Sequence, residues 1–127
     1  ILIVEDETII RSALRRLLER NQYQVSEAGS VQEAQERYSI PGFDLIVSDL
    51  TMPGIDGFGL VEELKLDPRT RDIPVVVVSA KDITEEERLR LNGHIEALYQ
   101  KGSLPTRKFV DKVIGVIEEK QEEKGRD

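Results

Sequence analysis

The chain contains no cysteine, which excludes a disulfide scaffold and permits a cytosolic protein without proving one. No apolar run approaches the roughly 20 residues of a membrane span, and no signal-peptide pattern is present. Basic residues are outnumbered, 18 against 25 acidic ones, and the resulting net charge of −7 argues against direct nucleic-acid binding. Histidine occurs once, as His94 after Asn92-Gly93, and reads as a surface loop residue rather than a catalytic donor. There is no internal repeat and no low-complexity linker. The sequence opens on strand residues without an initiator methionine, which reads as a domain cut from a longer chain.

What is present is an ordinary globular balance: 127 residues, 39% hydrophobic and 34% charged, enough for one domain with one proper core. Apolar runs alternate with helical periodicity, the pattern of a parallel sheet with helices on both faces. Strands are expected at Ile1–Val4, Tyr23–Ala28, Asp44–Ser48, Ile73–Ser79 and Ile95–Tyr99. The first helix is expected at Thr8–Arg20, with Ile10, Ala13, Leu14, Leu17 and Leu18 facing inward. Ser30 with Glu33 reads as a capping box opening a second helix to about Tyr38. The third, Gly57–Leu66, presents Phe58, Leu60, Val61 and Leu64. Thr84 caps a fourth with an acidic first turn and a thin stripe, Leu89 and Leu91. The last, Pro105–Glu119, should bury Phe109, Val110, Val113, Ile114 and Ile117. Residues 1–119 form the expected domain, and the charged tail, 120–127, should fray or be disordered.

The chemistry collects at strand ends. Asp49 closes the run Leu45-Ile46-Val47-Ser48 just before the turn Leu50-Thr51-Met52-Pro53-Gly54, and Glu5-Asp6-Glu7 closes Ile1–Val4 in the same way. Open α/β sheets place their ligand sites at these carboxyl ends. Two acidic strand ends on one sheet edge repel each other unless a hard cation such as Mg²⁺ compensates, and a metal-bound aspartate can attack phosphorus. Asp6 and Asp49 offer hard oxygen ligands, Glu5 can hold a metal-bound water, and Thr51 can add a backbone carbonyl. Ser79 can donate its hydroxyl to a phosphate, and Lys101 can neutralise developing charge.

With Ile3-Val4-Glu5-Asp6-Glu7, Asp49 to Gly57, Val77-Val78-Ser79-Ala80-Lys81 and Lys101 in order, the chain resembles the receiver domain of two-component response regulators over essentially its whole length. The resemblance implies a flavodoxin-like (CheY-like) three-layer α/β/α fold with a five-stranded parallel sheet in the order 2-1-3-4-5. It implies that Asp49 accepts phosphate from a phosphohistidine on a histidine kinase or histidine phosphotransfer domain. Glu5, Asp6, Asp49 and the Thr51 carbonyl would serve Mg²⁺, Ser79 would be the switch and Lys101 the phosphoryl contact. The face from the fourth helix through strand five to the last helix would carry output and can support a homodimer. Such a domain is not a conventional enzyme, although it promotes its own phosphorylation and dephosphorylation.

Three positions depart from the family pattern. Gly102 stands where proline usually follows the lysine, so a trans bond is expected, a non-proline cis bond costing about 3 kcal/mol. Leu98 occupies the usual aromatic position, with Tyr99 on the opposite pleat, which shifts the expected switch towards the Ser79 hydroxyl and loop movement. Glu5-Asp6 replaces an aspartate pair and should keep metal binding. Two other functions compete: a degenerate receiver that only binds, and an aspartate-nucleophile phosphatase. The phosphatase chemistry wants a second aspartate where Thr51 stands. No output domain follows in this sequence, and a free-standing regulator or a hybrid sensor kinase both fit as parent. The stretch Leu91 to Ser103 leans towards the hybrid kinase.

Overall fold

The computed structural model describes residues 1–37, 42–50, 57–80, 83–100 and 107–125. Along the chain these form β1 (Leu2–Val4), α1 (Thr8–Arg20), β2 (Ser26–Ala28), α2 (Val31–Arg37), β3 (Ile46–Asp49), α3 (Gly57–Leu66), β4 (Val75–Ser79), α4 (Glu85–Leu91), β5 (Ala97–Gln100) and α5 (Arg107–Gly125). The strands make a single parallel sheet in the order β2-β1-β3-β4-β5. This is the flavodoxin-like arrangement expected from the sequence.

The apolar runs lack alternation because the central strands are covered on both faces. Leu2, Val4, Ile46, Val75 and Val77 join Ala34, Phe58, Val61, Leu64 and Leu91 in one core layer. Ile3, Val47, Val76 and Val78 join Leu14, Leu18, Phe109, Val113, Val116 and Ile117 in the other. Successive residues of β4 therefore serve opposite layers, and a polar side chain at any position along Val75–Val78 would be buried among apolar neighbours.

Several element bounds differ from the sequence expectation. β2 is confined to Ser26–Ala28; Tyr23 and Val25 pack, partly buried, on the layer beneath α1 and α5 instead of extending the strand. Gln22 turns the chain there with a φ of 69°. Leu89, expected on the inner stripe of α4, is 71% exposed, while Leu91 is 2% exposed. Residues two apart on a helix do not share a face, so a seven-residue helix could bury only one of the pair. α5 continues to Gly125 rather than stopping at Glu119, so helix occupies most of the expected frayed tail. Lys, Glu and Gln are good helix formers and need no core contact to extend a helix already anchored by Phe109 to Ile117. Val116 also joins the core, where Ile114 was expected and is only partly buried.

Both expected capping residues act. Thr84 Oγ1 accepts from the Glu87 amide at 3.2 Å and Glu87 Oε1 accepts from the Thr84 amide at 3.1 Å. At α2, Ser30 Oγ accepts from the Glu33 amide, while the Glu33 carboxylate reaches one residue further back, to the Gly29 amide.

Candidate phosphoacceptor and metal site

Register places the acidic residues together. Val4 pairs with Ser48 across β1 and β3, and Asp49 pairs with Val78 across β3 and β4. Glu5, one residue past β1, therefore stands beside Asp49, and Ser79 ends the neighbouring strand. Glu5, Asp49 and Ser79 are buried to within 1% of full enclosure. A ligand oxygen from each of Glu5, Asp6 and Asp49 lies within 4.8 Å of the others. Carboxylate oxygens at that separation suit a hard divalent cation, and the buried Asp6 Oδ1 has no hydrogen-bond partner among the described residues. The donor set fits Mg²⁺.

The backbone around this cluster is pinned locally. The Glu5 amide donates to the Ala28 carbonyl at 2.9 Å, and the Leu50 amide donates to the Val78 carbonyl at 3.0 Å. The Glu7 amide donates to Glu5 Oε2 at 3.1 Å, orienting that carboxylate. Arg11 Nη1 donates to the Glu5 carbonyl at 2.8 Å.

Of the residues singled out from the sequence, the structure brings together Glu5, Asp6 and Asp49, with Ser79 on the adjoining strand end. Lys101, Thr51, Lys81 and Gly102 lie outside the described residues. Leu98 and Tyr99 fall on opposite faces of β5 as expected: Leu98 packs towards α3 and α4, and Tyr99 packs edge-on against Phe109 at 5.5 Å. His94 sits in the turn after α4, where its amide donates to the Leu91 carbonyl at 2.9 Å and Gly93 takes a φ of 82°. Sequence reasoning passed over Arg11, whose place on an amphipathic helix reads as solvated. No signal in the sequence marks it, because Gly29, Glu5 and Glu27 come within its reach only in the fold.

Residues 1–100 match the family model described as the response regulator receiver domain. Over 90 residues the chain is 41% identical to the phosphate regulon transcriptional regulatory protein PhoB of Escherichia coli, covering 71% of this chain and 39% of that protein's length. Among solved structures, the N-terminal domain of a response regulator receiver protein from Methanoculleus marisnigri is 34% identical, with a TM-score of 0.73 over 93% of this chain and 92% of that one. A CheY-like receiver domain protein from Methanospirillum hungatei superposes with a TM-score of 0.83 at 26% identity, over 96% of this chain and 95% of that one. Among the described residues no helix is long and apolar enough to cross a membrane. The family model matched over residues 1–100, together with relatives and solved structures of one kind, shows that the chain belongs to the receiver domain family of two-component response regulators.

Proposed function

We propose that this domain accepts a phosphoryl group on Asp49 from a phosphohistidine of a histidine kinase or phosphotransfer domain, in a Mg²⁺-dependent reaction. The carrying observation is the group of three carboxylates within 4.8 Å, centred on the buried end of β3. An Asp49 oxygen forms the bond to phosphorus as the P–N bond breaks; the departing imidazole nitrogen keeps the bonding pair and takes up a proton. Mg²⁺, held by Glu5, Asp6 and Asp49, would neutralise the clustered carboxylates and the charge on the transferring group. Burial of Asp49 holds bulk water away from the acyl phosphate. The Ser79 hydroxyl, enclosed at the next strand end, is suited to donate to a phosphoryl oxygen and so to report its arrival. Lys101 and the Thr51 carbonyl complete the site in the roles that the family resemblance gives them. The output face runs from α4 through β5 to α5, where a second copy of the domain can dock.

Incubation with Mg²⁺ and acetyl phosphate, followed by intact-mass measurement, tests this. The wild-type chain should gain one phosphoryl group and Asp49→Asn none. Undiminished labelling of Asp49→Asn moves the acceptor elsewhere. Rapid turnover of the donor with no phosphorylated chain accumulating would indicate a phosphatase, and neither turnover nor mass gain in the wild type a binding module.

A further inference from the structure

The guanidinium of Arg11 folds back from the first turns of α1 over the end of β1. Nη1 donates to the Glu5 carbonyl at 2.8 Å, and Nε lies 3.7 Å from Glu27 Oε1 on β2. Its side chain is 21% exposed, against 44% for Arg15 one turn further along the helix. Arg15 also reaches Glu27, at 2.9 Å, and its other ion pair is with Glu19 on its own helix. Glycine at position 29 leaves this guanidinium uncrowded: a Cβ there would lie 3.0 Å from Arg11 Nη1, and the guanidinium would have to shift by a few tenths of an ångström. Glu5 is thereby held at its amide by Ala28, at its carboxylate by the Glu7 amide and at its carbonyl by Arg11.

We propose that Arg11 is a positioning residue for the acidic site, fixing the turn that carries Glu5 and Asp6 against β2, with Gly29 leaving room for it. The proposal rests on the reading of that cluster as a Mg²⁺ site. Charge and position pull in opposite directions here, which makes the idea decidable. A guanidinium near a cation site disfavours the cation by simple Coulomb repulsion, so loss of Arg11 through charge alone would tighten Mg²⁺ binding. Loss through positioning loosens it, because groups that orient metal ligands commonly govern affinity by about tenfold or more.

The experiment compares the wild-type chain with Arg11→Met, which keeps the apolar stem, Arg11→Lys, which restores a charged donor, and Arg15→Met. Mg²⁺ affinity is measured by calorimetry, and amide exchange is followed in metal-free protein. Arg11→Met should weaken Mg²⁺ binding about tenfold and speed exchange of the Glu7 amide while leaving amides in the middle of α5 unchanged. Arg11→Lys should recover part of both effects, and Arg15→Met should show neither. Gly29→Ala, which crowds the guanidinium without deleting it, should act in the same direction more weakly and covers the case in which Arg11→Met does not fold. Unchanged or tighter Mg²⁺ binding in Arg11→Met overturns the proposal, as does an equal loss in Arg15→Met. If the wild type binds no Mg²⁺, the metal-site reading itself fails. The Glu7 amide then decides alone: faster exchange in Arg11→Met upholds the positioning role, and wild-type exchange ends it.

Discussion

Ser48 and Asp49 are neighbours on β3, both fully enclosed, and they carry opposite consequences. Alternation puts Ser48 on the same face as Ile46, in an apolar layer where its Oγ has no hydrogen-bond partner among the described residues. An unsatisfied buried hydroxyl costs about 1–3 kcal/mol, and replacing it with an apolar group of similar size removes that cost. Ser48→Ala should therefore be neutral or more stable by about 1 kcal/mol in urea unfolding, with phosphorylation intact. A destabilisation of that size would mean that Ser48 makes a contact worth keeping. The acidic residues stood out in the sequence because two apolar runs each end in carboxylates and the other motifs converge with them; Glu5-Asp6-Glu7 alone reads as a solvated helix start. Ser48 was not, since one serine inside such a run reads as part of the strand. Arg11 was hidden for another reason: its partners, the Glu5 carbonyl and Glu27, lie on other segments that only the fold brings to it.

Among the elements, α4 is the one whose attachment the sequence described least well. Its start was legible, because Thr84 and Glu87 form the capping box their spacing suggests. Its packing was not: Leu89 is exposed, and only Leu91 is buried within α4. The missing apolar contact is offset from the polar side. Arg90 lies 5.3 Å over the ring of Phe58 on α3 and pairs with Glu62 on the same helix. A half-exposed cation–π contact and ion pair together contribute on the order of 1 kcal/mol. Arg90→Ala should accordingly speed exchange of amides in residues 85–92 about fivefold, with β4 unaffected. In the wild type, beryllofluoride with Mg²⁺ should produce its largest exchange changes within residues 80–103, since α4 is the element most cheaply displaced. Changes confined to α1 and α2 would place the output surface elsewhere. Leu98 and Tyr99 bear on the same point. The aromatic ring of β5 is committed to Phe109 in the opposite layer, so the residue on the Ser79-side layer is an aliphatic one with no ring to rotate.

For the molecule as a whole, a parallel sheet covered on both faces was readable because the central strands are largely apolar runs alternating with helical patterns, while the strand order came from the resemblance to the receiver family. The ends of α5 and β2 were not, since polar helix formers extend an anchored helix and apolar residues can pack without joining a sheet. The acidic site sets this stable frame against a local cost. Three carboxylates within 4.8 Å repel one another when no cation is bound, and pairwise repulsion at that distance reaches about 3 kcal/mol at an effective dielectric near 20, before screening by neighbouring groups. Removing one charge should then stabilise the metal-free fold while disabling the site, the trade-off expected where function requires a strained cluster. Asp6→Asn is the cleanest variant, because Asp6 is the least enclosed of the three and is not the proposed acceptor. Its thermal midpoint in EDTA should exceed that of the wild type by about 3–5 °C, corresponding to about 1 kcal/mol. Mg²⁺ should raise the wild-type midpoint by ligand linkage and leave Asp6→Asn nearly unmoved. A variant that melts below the wild type in EDTA, or that gains as much from Mg²⁺, would show that these carboxylates are already compensated by the protein and that the cation is held by other groups.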